Sequence, residues 1–383
     1  MEPTQGTHFT PSEELLAVSL ELSKSSWKIA LHDGRRDRPA IHTVASEQAS
    51  KRLDEAAAVI EGTKKKWALS GRTRVVVIYE AGQDGFWIQR ALQASGYEVL
   101  VVDPASIPVE RRARRAKTDR LDAIKLVVSL LGWLRGECDR MHVIRVPAGE
   151  AEAQRHLARD RGELQKEIGQ HRDRMRKLLR TVGCWDSVEG KFAERLGRGE
   201  VRSHDGQPLP AQLKARLERE CERLELATKQ LAALEAGLVE ELPEAVRGRI
   251  GQLMRLKGVG RVGALRLVLE LYWRDFDNRR QVGSCVGLAP QPYDSGESRV
   301  DQGISKQGNR RVRALLIEMA WLWLRYQPDS ALSKWFVRRT QGGGTNRRGK
   351  RIAIVAVARR LAIALWRYLE DGAMPEGAAL KAG

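Results

Sequence analysis

The run Arg74-Val-Val-Val-Ile-Tyr-Glu80 decides the fold of the first part of the chain. Its apolar residues are continuous rather than alternating, its length is that of a strand, and Gly71 and Gly82 bound it. A strand apolar on both faces must be covered on both, so this one is expected at the centre of a sheet with helices on either side. Upstream, residues 15–22 and 26–32 read as two strands at hairpin distance, with Asp33-Gly34 as a turn signal. Residues 41–44 supply a third strand. Residues 47–69 carry Leu53, Ala57, Ile60 and Trp67 on a helical period. Downstream come a helix over 86–95, a second buried strand over 97–102 and a further helix. The order is strand, strand, strand, helix, strand, helix, strand, helix. An antiparallel meander leading into βαβ units predicts an α/β domain with a mixed sheet.

The last of those helices opens with Lys117-Thr-Asp-Arg-Leu-Asp-Ala123, just after the basic run Arg111-Arg-Ala-Arg-Arg-Ala116. Asp119 and Asp122 are three residues apart, which puts both acids on one helix face. Glu21 lies on the first strand and Glu80 ends the fourth, so four carboxylates from separated segments can face one another. Such a set suits a hard divalent cation completed by phosphate. Each acid also has a plainer role open to it, as a helix cap, a surface ion pair or a solvent-facing strand residue.

The chain has 383 residues, with 67 Lys and Arg against 49 Asp and Glu, a formal net charge of +18. That balance calls for a polyanionic partner, nucleic acid before a membrane surface. Cys138, Cys184, Cys221 and Cys285 are scattered, which argues against a zinc site or a disulfide framework. Neither a signal peptide nor a run of membrane-spanning length is present, and the expected location is the bacterial cytoplasm.

Beyond the first domain, 151–182 and 211–242 are long amphipathic helices joined by a polar, glycine-bearing stretch over 187–209 that reads as a connecting loop. Their apolar spacing of three and four fits an antiparallel coiled-coil arm, with an ordinary bundle as the alternative. Leu256-Lys-Gly-Val-Gly-Arg261 is a tight turn before an apolar helix, and resembles the hairpin of helix-hairpin-helix modules. Lys257, Gly258, Gly260 and Arg261 there offer charge and backbone N–H groups to a phosphate. Residues 286–296 read as a loop, followed by the basic stretch Gly303-Ile-Ser-Lys306-Gln-Gly-Asn-Arg310-Arg311. The tryptophan-bearing helix over 312–324 reads as core. The last long helix covers 352–369, and the segment after Asp371 reads as disordered. The expected divisions are a flexible N-terminus (1–14), an α/β domain (15–145), an arm (146–245), a mainly helical domain (246–371) and a flexible tail (372–383).

Val75-Val-Val-Ile-Tyr-Glu80-Ala-Gly, Lys117-Thr-Asp-Arg-Leu-Asp122-Ala, Gly258-Val-Gly and Gly287-Leu-Ala-Pro with Ser295-Gly and Gly303-Ile-Ser-Lys-Gln-Gly-Asn-Arg310 stand in the same order as in the insertion-sequence one-ten family of transposases. The resemblance covers nearly the whole chain. It implies an RNase H-like, RuvC-like N-terminal domain, a coiled-coil arm and a C-terminal transposase domain. It further implies four acids (Glu21, Glu80, Asp119, Asp122) holding Mg2+, and Ser295 as a nucleophile that forms a covalent phosphoserine. Ser298 and Ser305 compete with Ser295 by spacing. Glu21 departs from the family pattern, which has Asp in that place. The partners implied are donor and target DNA and a structured noncoding RNA that pairs with both. A homodimer assembling to a tetramer in synapsis is expected as well. Lys117, Arg120, Lys306, Arg310 and Arg311 join the hairpin residues as expected nucleic-acid contacts. Two other readings share these residues: a junction nuclease that hydrolyses DNA with activated water, and a nucleic-acid-binding scaffold.

Overall fold

The computed structural model describes residues 14–82, 85–107, 118–237, 239–295, 298–341 and 346–381. The chain divides into two compact units, Met1–Pro147 and Ala148–Gly383. The expected flexible N-terminus, apart from Glu14, and the basic run with Lys117 lie outside the described residues.

The first unit is a five-stranded mixed sheet covered on both faces. Its elements are β1 (Leu15–Leu22), β2 (Trp27–His32), β3 (Ala40–Val44), α1 (Ala49–Lys66), β4 (Arg74–Glu80), α2 (Trp87–Ala94), β5 (Glu98–Val102) and α3 (Asp119–Leu134). The sheet order is β3-β2-β1-β4-β5, antiparallel across β2 and parallel from β1 through β4 to β5. Alternation along β1 sorts the core. Leu16, Val18 and Leu20 pack with Ile60 of α1 and Ile88 of α2, while Leu15 and Ala17 pack with Ala123, Val127 and Leu130 of α3. The continuous apolar run of β4 is buried for the same reason: Val75, Val77 and Tyr79 serve one layer, Val76 and Ile78 the other.

The second unit is almost all helix: α4 (Gly149–Arg180), α5 (Phe192–Gly197), α6 (Ala211–Gly237), α7 (Glu244–Met254), α8 (Arg261–Glu270), α9 (Arg279–Cys285), the hairpin of β6 (Pro290–Ser295) and β7 (Ser298–Ile304), α10 (Arg310–Tyr326), α11 (Ala331–Arg339) and α12 (Arg347–Asp371). The helices α4 and α6 run antiparallel, as Arg161–Glu235 at one end and His171–Glu220 farther along require. Between them the connecting loop expected over 187–209 is instead a packed tip. Val188, Phe192, Leu196, Val201 and Leu209 close on Met175, Leu179 and Leu217 as a core of their own. The start of α4 belongs to the main core of the unit through Ala158.

Two further expectations change. The stretch 286–296, read as a loop from its prolines and glycines, runs into the β6–β7 hairpin, where Pro290 pairs with Ile304 and a register shift near Pro292 accommodates a residue that cannot donate to the ladder. The segment after Asp371, expected to be disordered, is docked over 375–381. Lys257 N–H donates to Ala379 O (3.1 Å), Lys381 N–H to Arg255 O (2.8 Å), Ala331 N–H to Glu376 O (2.9 Å), and Pro375 is buried. Gln327, only 2% exposed, ties this strap down: its Nε2 donates to Lys257 O and Ala379 O, and its Oε1 accepts from Ala379 N–H.

Candidate active site and nucleic-acid surface

Of the four expected acids, Glu21 and Glu80 lie together at one edge of the sheet in the first unit. Leu20 of β1 lies opposite Tyr79 of the parallel β4, so Glu21 and Glu80 sit side by side where these strands end. By alternation both share the face of Ser19 and Ile78, the face that α3 covers. Ser19 Oγ donates to Ala123 O (2.7 Å, buried), which pins the first turns of α3 against β1. Thr118 caps α3 by accepting from Leu121 N–H, and Asp119 and Asp122 fall in the first turn, where the helix dipole favours negative charge. Asp122 accepts from the exposed Lys125 (3.2 Å), a surface pair that water and salt weaken. Arg120 is exposed on the same turn.

Glu21 and Glu80 line one cavity of about 550 Å³, together with Ser23, Lys24, Glu47 and Arg52. Arg52 is 8% exposed and donates to the carbonyls of Ser23, Lys24, Ser25 and Ser46, so it clamps the β1–β2 turn while keeping a positive charge at the cavity wall. Nothing in the sequence singles it out from the other arginines. The donor set is wholly carboxylate oxygen, the chemistry a hard divalent cation takes. Among the described residues, however, no three Asp, Glu, His or Cys side chains are close enough together to hold an ion. The fold brings Glu21 and Glu80 into one cavity, whose other walls come from the α1–α2 side through Glu47, Arg52 and Trp87; Asp119 and Asp122 of α3 are not among its lining residues, and the four acids are not closed into a cage.

In the second unit Ser295 and Ser298 face each other as the pair that ends the β6–β7 hairpin; their side chains and Gly296 lie outside the described residues. Ser305 lies past the end of β7, its N–H given to Ala289 O (2.9 Å). The motif that follows is in part structural. A Cβ on Gly308 would sit 2.1 Å from Cys285 O and one on Gly287 1.9 Å from Gln307 O, and both residues have positive φ, so two backbones meet where only glycine fits. Asn309 caps α10 through Arg311 and Val312 N–H, and its Nδ2 donates to the buried Glu270 (2.9 Å), which also takes Arg159 (3.3 Å). An asparagine just before an apolar helix is a capping signal the sequence carried unread. Lys306 and Arg310 are exposed, and Arg311 lies 3.6 Å from Glu163.

The Leu256–Gly260 turn joins α7 to α8 as expected. Gly258 has φ +83°, and a Cβ there would lie 3.3 Å from Tyr326 Cβ; Gly260 is exposed with open space around it. Lys257 and Arg261 are exposed, and Arg261 donates to Glu240 (3.2 Å). Bonds to its own backbone N–H and the charge of Arg261 hold the Glu240 carboxyl below its usual range. Lys381, carried by the strap, donates Nζ to Val259 O (2.9 Å), a third cation at this turn.

Comparison with known proteins bears on both units. Residues 251–334 match the family described as Transposase IS116/IS110/IS902, and residues 37–183 match the transposase domain DEDD_Tnp_IS110. The second span contains Glu80, Asp119 and Asp122 and begins after Glu21. A Sinorhizobium fredii chain named as transposase y4rJ is 44% identical over 377 residues, 95% of this chain and 94% of its own length. The Yersinia enterocolitica transposase for insertion sequence element IS1328 is 23% identical over 78% of this chain and 84% of its own. That for IS1533 in Leptospira borgpetersenii is 26% identical over 63% and 69%. A transposase cuts and rejoins DNA, and the DEDD-type domain points to a divalent metal ion. The chain belongs to the IS116/IS110/IS902 family of transposases.

Proposed function

We propose that this transposase exchanges DNA strands through a covalent bond between Ser295 and the scissile phosphate, with Glu21, Glu80, Asp119 and Asp122 as the set that holds Mg2+ on an RNase H-like first unit. The observation that carries the metal half is the convergence of β1, β4 and the first turn of α3 on one sheet edge. The serine half is supported by the position of Ser295 at a hairpin end followed in sequence by Lys306, Arg310 and Arg311, which can neutralise charge on the phosphorus in the transition state.

In this reading the Ser295 oxygen bonds to phosphorus as the bond from phosphorus to the departing sugar oxygen breaks. The hydroxyl proton passes to solvent, and the phosphodiester is conserved, so rejoining needs no nucleotide cofactor. Bound magnesium would supply charge stabilisation at the phosphate oxygens. Sequence choice falls to a structured RNA that base-pairs with donor and target, because the chain carries no recognisable major-groove reader; the protein holds the duplex by its backbone at Lys257, Gly258, Gly260, Arg261 and Arg120. The arm is assigned to a coiled coil that pairs protomers, two dimers joining in synapsis.

The test is to incubate wild type, Ser295→Ala, Ser298→Ala and Ser305→Ala with RNA, magnesium and a suicide DNA substrate, then denature. Only Ser295→Ala should lose the covalent adduct while still binding DNA. An adduct that survives in Ser295→Ala moves the nucleophile, and efficient cutting by wild type without any adduct replaces serine with activated water.

A further inference from the structure

The helix α10 was expected to bury its tryptophans, and it buries only one. Trp323 is 1% exposed and donates Nε1 to Ser330 Oγ (2.9 Å); Trp321, two residues earlier, is 46% exposed. Tyr326, at the C-terminal end of the same helix, is 49% exposed, with the Arg325 guanidinium 5.5 Å from its ring centroid. Trp321 meets Phe336 of α11 edge-on at 5.9 Å, so α11 flanks Trp321, and Arg360 over Trp335 (4.0 Å) fastens α11 to α12.

Charge on these elements is one-sided. Residues 325–351 hold eight lysines and arginines against one carboxylate, Asp329. Among the described residues none of the eight is paired with a carboxylate. Arg347, Arg348, Lys350 and Arg351 even occupy the first turns of α12, where the helix dipole disfavours cations. Uncompensated cations at that end favour an anion brought from outside.

We propose that this face of α10 and α11, with the first turns of α12, binds an unpaired stretch of nucleic acid: phosphates on the cations, bases stacked on Trp321 and Tyr326. Exposed aromatic rings interleaved with cations suit a single strand, whose bases present their faces. A duplex hides those faces in its own stack and would leave the rings against phosphate. A second copy of the chain meeting this face about a two-fold axis would set like charges opposite one another. The site abuts the Leu256–Gly260 turn on its Tyr326 side, where a Cβ on Gly258 would lie 3.3 Å from Tyr326 Cβ, and extends away from it through Trp321 and α11; it involves neither the serine nor the acids.

The experiment measures anisotropy of a labelled oligo-thymidine, a labelled oligo-uridine and a labelled duplex against the full chain, with Trp321→Ala, Tyr326→Ala and the double variant. Each single variant should weaken single-strand binding about ten-fold, and restoring Phe at either position should recover most of it. In Trp321→Ala, which lies away from the Gly258 turn, duplex binding should change less than two-fold and thermal unfolding should not move. Lys257→Ala with Arg261→Ala serves as the converse, lowering duplex more than single-strand affinity; a failure there counts against the hairpin reading alone. Unchanged single-strand affinity in the double variant overturns the proposal, as does an equal loss for strand and duplex. A loss of self-association in sedimentation with unaltered oligonucleotide binding overturns it in favour of a second copy. The stronger of the two single strands identifies the sugar recognised.

Discussion

The arm and the α10–α12 face are both rich in arginine and lysine, and they treat that charge in opposite ways. On α4, α6 and the tip between them many of the charges are matched. Glu220, 3% exposed, takes His171 (2.6 Å), Arg174 (3.0 Å) and Arg223 (3.3 Å); Arg176 bridges to Asp173 and Glu189; Arg195 bonds Asp186 at the tip. Over residues 325–351 of α10–α12 the eight lysines and arginines have no carboxylate partner among the described residues, and all but the half-buried Lys350 are exposed. A net charge of +18 says that a polyanion is wanted; the pairing pattern says where it goes. On the proposed reading, cations consumed by the fold are structural and those left over form the binding surface.

The edge of the first unit extends this contrast with the opposite sign, since carboxylates gather there on a basic protein. Asp122→Asn or Glu80→Gln should lower strand cleavage by a factor on the order of a hundred or more, the scale seen when one stabilising group is removed from a transition state. DNA affinity should stay within about two-fold, because neither acid contacts phosphate without the metal. Glu21→Gln should behave like these variants and Glu21→Asp should keep activity. Full cleavage in Asp122→Asn and Glu80→Gln, with magnesium as the sole divalent ion, would remove this edge from the chemistry.

The contrast itself breaks or holds on a salt titration. Neutralising Lys334, Arg338, Arg348 and Arg351 to Gln should flatten the slope of log single-strand affinity against log salt by up to about 2.8, at roughly 0.7 per phosphate contact. Neutralising Arg174, Arg176, Arg195 and Lys214 on the arm should leave the slope within about 0.5 of wild type, because those charges are already satisfied within the protein. Equal slopes for the two sets would mean that pairing does not sort binding cations from structural ones.

The first unit was legible because its strands announce themselves locally: β4 is an unbroken apolar run between glycines, and the element order then restricts the topology to a meander followed by βαβ. The placing of Glu21 beside Glu80 followed from the same order and the two-residue period of strands. What stayed hidden depends on packing between distant segments. Phe192, Leu196, Val201 and Leu209 are too sparse among glycines and charges to read as a core, yet they close the arm tip. Trp321 and Trp323 are indistinguishable by composition, and only the path of α11 decides which is covered. Gln327 at the end of α10 looks like any polar terminus until the strap over 375–381 supplies its partners.

The arm side of the contrast carries a stability prediction. Burial works to raise the Glu220 carboxyl, but hydrogen bonds from His171 and Arg174 and their charge outweigh it, so its native pKa lies below the usual glutamate value. A carboxylate lowered in the native state stabilises it above the ordinary glutamate range, and that contribution fades as pH falls through the lowered value. Glu220→Gln should cost roughly 2–3 kcal/mol near neutral pH, under the full cost of breaking a buried pair because Arg174 and Arg223 are partly exposed. The gap in melting temperature between variant and wild type should narrow on acidification. A gap independent of pH would mean that shape at this position matters, and charge does not.

The smallest effect expected is at Gln327. Its amide is buried and answers Lys257 O, Ala379 O and Ala379 N–H at once, so it holds the strap against the turn whose cations the hairpin reading needs. Gln327→Leu keeps the volume and strands Lys257 O and Ala379 N–H, while Ala379 O keeps the N–H of Lys257; Lys257 O can turn to water once the strap lifts. The cost should therefore be about 1 kcal/mol, near the low end for unmet buried polar groups. Release of the strap also withdraws Lys381 from Val259 O. Amide exchange should accelerate over 375–381 and at Lys257, whose N–H is given to Ala379 O, while Trp323 and the α10 core keep their protection. Duplex affinity should fall by no more than the one phosphate contact Lys381 can make. If exchange at Lys257 and over 375–381 is unchanged in Gln327→Leu, the strap is held by Pro375, Glu376 and the Lys381 backbone instead, and Gln327 merely fills space at the end of α10.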